Sequence, residues 1–218
     1  MIYYQIYHVI QILDTFIKEM FMTAEKASWK EWIPVLEDEL EIETQKAPDI
    51  SQVHATDHIH RVWHRCLEIG SDLGADLIVL AAAVYLHDLG RHYIRDKVHG
   101  ALSARLAEPV LEKIGFPPHK REAVLHAIKV HDVSADPRER NTLEDRILYD
   151  CDKLETLGVI GILRYIVNFY GKASIDLILE DIDARWNGLC LPETRKHAAE
   201  DYEYITNYFK RLKQALED

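Results

Sequence analysis

The residues best suited to chemistry stand at the end of an apolar run. Eight consecutive apolar residues, Val79 to Leu86, lead directly into His87 and Asp88. An ionised carboxylate at the edge of such a region is costly unless it is paired or binds a metal ion. Successive helical residues point about 100° apart, so the two side chains can converge on one point between adjoining helices. Two readings follow: a metal or acid–base centre, or a local arrangement in which His87 caps a carbonyl and Asp88 pairs with Arg91. Other segments supply candidate partners. His58, Arg61, Val62 and Arg65 are spaced by three, four and seven, so they share one helical face. Downstream, Asp150, Asp152 and Glu155 surround Lys153 at a helix junction. Asp150 and Asp152 lie about 200° apart on an ideal helix, so one can point inward while the other supports it or faces away.

The elements that must position these groups read as helices from end to end. Only nine glycines are present, and no NG or DG hairpin signals separate strand-like runs. The 75–89 segment is apolar nearly all round and is expected to be a central buried helix closed by Gly90. The 54–70 stretch is expected to end at Gly70. The 98–114 stretch is expected to end at Gly115, with Pro109 kinking or splitting it. The 117–131 stretch opens on Pro117 and Pro118, suited to a first helical turn. Helices are further expected over 141–152, 155–169, 173–186 and 192–216. The reading is all-α: one compact domain over 46–218 with an N-terminal helical extension over 1–45.

Composition bounds the function. The 218 residues carry 26 Lys plus Arg against 37 Asp plus Glu, a net charge of -11. That balance argues against sequence-independent binding of long nucleic acid, but it admits a small anionic substrate held by local cations or a metal. Cys66, Cys151 and Cys190 form no CxxC pair and suit a reducing cytoplasm. The apolar start is interrupted by Asp14, Lys18 and Glu19, too early for a membrane span. It is expected to be an amphipathic helix that docks on the body or joins a second copy, with Met20 and Met22 as alternative starts. Twelve histidines are the outlier of the composition. His8, His119 and His197 lack motif context and read as surface; His126 reads as core or surface. The aromatic residues of 165–170 read as packing.

HxxRV at 58–62, a hydrophobic helix ending LHDLG, and a distant DCDKLE together resemble the HD-domain metal-dependent phosphohydrolase superfamily, in its small stand-alone bacterial and archaeal branch. The resemblance extends through Ser103-Ala104, Gly115-Phe116-Pro117, the AIxxH segment ending at His131, LGVIGILR at 157–164 and a tail helix beginning PETRKHAAE. It covers roughly 52–215. It implies an HD-domain helical bundle with His58, His87, Asp88 and Asp152 as metal ligands. His99 and His131 are implied as pocket residues, contacting phosphate and shuttling protons or ligating a second ion. Arg61 and Lys153 are candidates to hold substrate phosphate, with ion pairing as their alternative; Arg91 is a weaker one. Two departures stand out. The branch often carries HDxxH before the first ligand, where this chain has His54-Ala55, leaving Asp57 as a candidate substitute. DADKLD becomes DCDKLE, with Glu155 keeping the carboxylate.

Two imidazoles and two carboxylates suit Mn, Fe, Co, Ni or Zn better than Ca, with Mg also admitted. Such an ion would activate water against a phosphoester or phosphoanhydride of a small molecule, a nucleotide first among them. Two other functions fit the resemblance: a di-iron oxygenase, which needs additional histidines, and a non-catalytic nucleotide-binding module. Pocket shape is expected to come largely from the loops 91–99 and 132–141.

Overall fold

The computed structural model describes residues 28–46, 56–94, 98–169 and 171–217. Helices α1 (Trp29–Gln45), α2 (Thr56–Leu73) and α3 (Leu77–Leu86) lead into a short 3-10 turn, Leu89–His92. There follow α4 (Gly100–Lys113), α5 (Pro118–Val130), a second 3-10 turn at Pro137–Glu139, and α6 (Leu143–Leu154). The chain closes with α7 (Gly158–Phe169), α8 (Ile175–Asn187) and α9 (Pro192–Glu217). No strand occurs among the described residues. The expected all-α architecture is what the protein has. None of these helices is long and apolar enough to cross a membrane. The N-terminal amphipathic helix and the HDxxH departure at His54-Ala55 lie outside the described residues.

Helix α3 is the axis of the fold. Asp76 starts it by accepting from the backbone N–H groups of Ile78 and Val79, which satisfies two of the donors a helix start leaves open. From Val79 to Leu86 every side chain is buried, and α1, α2, α5 and α6 all pack around it. The apolar reading was therefore correct, but the helix is shorter than 75–89. It ends at Leu86, His87 caps it, and the chain tightens into the 3-10 turn. Helix α1 contributes the buried Trp32, Leu36 and Leu40 to this same core.

Two expected boundaries move for packing reasons. Helix α2 runs past Gly70 to Leu73, because Gly70 lies against Leu80 with no room for a Cβ (2.8 Å to its Cδ1), and Gly74 at φ +73° ends it. Helix α4 is not split by Pro109. That residue is exposed, and the helix carries it without a break.

A second apolar cluster forms around Tyr165, Ile182, Ile205 and Phe209, contributed by α7, α8 and α9. Helix α6 joins the two clusters: Ile147, Leu148 and Cys151 face the first, while Leu154 faces the second. Asp150 ties the joint by accepting from the Cys190 and Leu191 amides at 2.7 and 2.9 Å. The functional residues gather along this seam. Leu36 is fully buried in the first cluster, so Leu36→Ala should destabilise the protein by about 2–5 kcal/mol in urea titration; a loss under about 1 kcal/mol would mean that α1 is not part of the cooperative core.

Candidate metal centre

His87 and His131 are placed by the same device. Each caps the C-terminal end of its helix, α3 or α5. Each ring directs Nδ1 back to the carbonyl three residues earlier, Val84 O at 2.6 Å and Ile128 O at 2.5 Å. A neutral imidazole that donates from Nδ1 keeps a lone pair on Nε2. Both lone pairs then point out of the helix end towards Asp88. His87 is fully buried, and burial pushes its pKa down to about 3. Its Nε2 has no hydrogen-bond partner among the described residues.

Two glycines let the segments close on this point. A Cβ on Gly90 would meet His99 O at 2.8 Å and Ser103 Oγ at 2.9 Å, and one on Gly100 would meet Lys129 O at 2.6 Å. Without side chains there, the 3-10 turn, the start of α4 and the end of α5 bring Asp88, His99 and His131 together. Asp132 fastens the corner by accepting from Gly100 N at 2.8 Å and from the Ser134 amide and hydroxyl.

The four implied ligands converge. His58 Nε2 lies 3.8 Å from Asp88 Oδ2 and 3.4 Å from Asp152 Oδ1. His87 Nε2 lies 3.7 and 3.9 Å from the same two oxygens. Ligands about 2.1 Å from a tetrahedral ion stand about 3.4 Å apart, so these separations suit a transition metal with little adjustment. The ligand atoms of His58, His87 and Asp88 all fall within 4.8 Å of one another, as do those of Asp88, His99 and His131. Asp88 therefore belongs to two adjoining ligand groups. His99 Nε2 is 2.8 Å from Asp88 Oδ1 and 2.9 Å from His131 Nε2.

The two local readings of His87 and Asp88 coexist with this centre. His87 does cap a carbonyl, and Arg91 Nε lies 3.5 Å from Asp88 Oδ1. Capping uses only Nδ1, and the Arg91 contact leaves Oδ2 to the histidines.

Around His58 the shared face of α2 has one receptor, Glu155. Its buried carboxylate accepts from Arg61 Nε and Nη2 at 2.9 and 2.7 Å and from Arg65 Nη1 at 2.6 Å, and it stands 3.3 Å from His58 Nδ1. Burial opposes charge on Glu155, but His58 and the two guanidinium groups outweigh it and hold its pKa at about 2. Burial likewise opposes charge on His58, and Asp152, Glu155 and Asp88 override it to raise the pKa. Asp152 is held well below the usual carboxylate range against its own burial, by Lys153 first and then by the histidines. Lys153 Nζ donates to Asp152 Oδ2 at 2.5 Å.

Beside the centre opens a cavity of about 170 Å³, lined by Asp88, Asp152, Lys153, Arg91, Arg164 and Arg185 among others. Lys153 is on its wall; Arg61 is not, being turned onto Glu155 and a second groove. The wall comes mainly from α6, α7 and α8. Among the described residues of the expected specificity loops, Arg91, Asp132 and Val133 contribute. Sequence reasoning missed Arg164, Arg185 and Asp132. The His131-Asp132 dipeptide, repeating His87-Asp88 at a helix end, was the available signal for the last. His126 pairs with Asp145 at 3.1 Å, away from the centre. Tyr165 packs in the second cluster as expected, whereas Phe169 reaches the cavity. Asp57 is exposed, although it lines the second groove beside His58.

Comparison with known proteins agrees with this arrangement. The HD domain model matches residues 56–157, the stretch that holds His58, His87, Asp88 and Asp152. That stretch is an HD domain. YpgQ of Bacillus subtilis is 28% identical over 119 residues, 53% of this chain and 57% of YpgQ, so the match spans little more than half of that relative. The structure of YpgQ in complex with ADP superposes with a TM-score of 0.64 at 22% identity, over 82% of this chain and 96% of that one. An HD superfamily hydrolase from an uncultured Thermotogales bacterium gives 0.59 at 24% identity, over 81% and 90%. One from Bacillus thuringiensis gives 0.68 at 17% identity, over 87% and 99%. These structures share the HD fold, with a His and Asp cluster in this chain able to hold a metal ion.

An ion held by His58 would bind with a pH dependence set by that residue. A metal needs its neutral form, and the surrounding carboxylates hold its proton above the ordinary value of 6.5. Each ion bound therefore displaces a proton up to that raised pKa and none above it. Affinity measured by calorimetry should climb about tenfold per pH unit from pH 6 and flatten on the alkaline side. An affinity already level between pH 6 and 8 would contradict the assignment.

Proposed function

We propose that this HD-domain protein is a divalent-metal-dependent phosphohydrolase acting on a phosphoester or phosphoanhydride of a small molecule, with nucleotides as the leading substrate class. The observation that carries the proposal is the adjacency of the ligand cluster, including the unpartnered Nε2 of buried His87, to a cavity walled by Lys and Arg side chains. That pairing suits an ion and a phosphate side by side. The ADP complex of YpgQ supports the nucleotide class.

His58, His87, Asp88 and Asp152 would hold the ion, which when bound supplies Lewis acidity and lowers the pKa of water. The remaining work falls to the chain. Glu155 orients His58 through Nδ1, the kind of support that fixes a ligand ring. Lys153 neutralises Asp152 and presents an ammonium to the cavity for a phosphoryl oxygen. His99 and His131 share a face of Asp88, where one ring can take a proton from the attacking group and pass it to the other across 2.9 Å. Arg61, paired with Glu155, acts on the ligand sphere and not on the substrate.

The oxidative alternative has one observation in its favour: the second group, Asp88, His99 and His131, would complete a two-iron centre. The cationic wall favours phosphate. Metal content and an iron spectrum separate the two, because two irons per chain with oxygen consumption would replace the hydrolytic reading.

The direct test is release of phosphate or pyrophosphate from a panel of nucleotides and phosphoesters with Mn, Fe, Co, Ni, Zn or Mg. Metal-stimulated hydrolysis is expected for the intact chain, with Asp88→Ala losing both ion and activity. A protein that keeps its metal and hydrolyses nothing on the panel would overturn the proposal and favour a binding module.

A further inference from the structure

Arg164 is a buried guanidinium without a dedicated acceptor. It projects from α7 with its side chain 15% exposed, and lines the same cavity as Asp88, Asp152 and Lys153. Among the described residues it faces one carboxylate oxygen, Glu155 Oε2, at 3.6 Å from Nη1, beyond hydrogen-bond range. That oxygen already accepts twice from Arg61, and the other Glu155 oxygen accepts from Arg65. Nη1 accordingly has no hydrogen-bond partner among the described residues. Other cations of the wall are engaged: Lys153 donates to Asp152, and Arg185 donates to Asp181 at 2.7 Å.

Holding an arginine in this state is unfavourable in the free protein, since a largely buried charge without hydrogen-bonded compensation is costly. Burial indeed lowers its proton affinity. Such a cost is tolerated where a ligand supplies the missing partner, and a planar guanidinium facing a cavity beside metal ligands fits a phosphoryl group with two oxygens in its plane. We propose that Arg164 is a substrate-binding residue of the cavity beside Lys153, donating to a phosphoryl oxygen of the phosphate held next to the ion. This rests on the phosphohydrolase reading. It assigns to Arg164 the contact that the sequence suggested for Arg61.

The test uses inorganic phosphate and pyrophosphate as probes, with the full chain loaded with the divalent ion that best supports it. Binding is followed by calorimetry and by the rise in melting temperature each probe produces, for the wild type, Arg164→Met and Arg164→Lys. Arg164→Met should keep its metal content and its ligand-free melting temperature, because the lost cation had no hydrogen-bonded partner to leave behind. It should bind both probes about 10 to 100-fold more weakly, the range expected for loss of a charge-assisted bond. Arg164→Lys should fall between, retaining charge but not the planar pair of donors. Unchanged probe binding in Arg164→Met, with wild type binding normally, overturns the inference and leaves the phosphohydrolase reading standing. Loss of metal or of folding in both variants would show that Arg164 serves Glu155, and overturns it too. A metal-loaded wild type that binds neither probe overturns both.

Discussion

Asp88 imposes the constraint on which the rest of the structure depends. It is a carboxylate almost closed off from water at the end of the most apolar helix of the chain, and such a group persists in ionised form only if positive charge comes to it. Four imidazoles surround it, from the start of α2, the end of α3, the start of α4 and the end of α5. His87, which burial keeps neutral, cannot cancel its charge. A divalent ion would, and it would also take the Nε2 lone pair of His87. The packing of α3, the close approaches at Gly90 and Gly100, and the tautomers fixed by Val84 and Ile128 carbonyls all serve that requirement.

Charge is layered outward from this point. Inside lie Asp88 and Asp152 with the histidines. Next comes Glu155, which carries no solvent exposure and is held ionised by Arg61 and Arg65. An ion pair at a surface contributes little to stability, and a buried one often barely offsets its desolvation. The Glu155 cluster is therefore better understood as an orienting device for His58 than as a stability element. It also accounts for the spacing on α2: residues 58, 61 and 65 share a face because they share an acceptor.

Much of this was legible in the sequence. The eight apolar residues before His87 marked α3, and the order of HxxRV, LHDLG and DCDKLE marked the four side chains that converge beside it. What escaped was whatever depends on tertiary closeness. Gly70 has the form of a helix stop, yet packing against Leu80 carries α2 past it to Gly74. Arg61 has the type and position of a phosphate ligand, and nothing in its neighbours along the chain shows that Glu155, ninety-four residues away, claims it. Arg164 closes an apolar segment, LGVIGILR, with no other polar side chain to single it out. Its role depends on a cavity assembled from three helices, and no local pattern encodes that. The cavity wall likewise comes from α6, α7 and α8, where periodicity reports burial but not which polar residue faces the seam.

The central claim is that His58, His87, Asp88 and Asp152 hold one ion. Anomalous diffraction from crystals of the metal-loaded protein, collected at the absorption edge of the bound element, tests it most directly. The account expects a peak about 2.0–2.3 Å from Nε2 of His58, Nε2 of His87 and a carboxylate oxygen of each aspartate. A fully loaded protein whose anomalous density lies elsewhere, or that lacks either histidine from its coordination sphere, would contradict it.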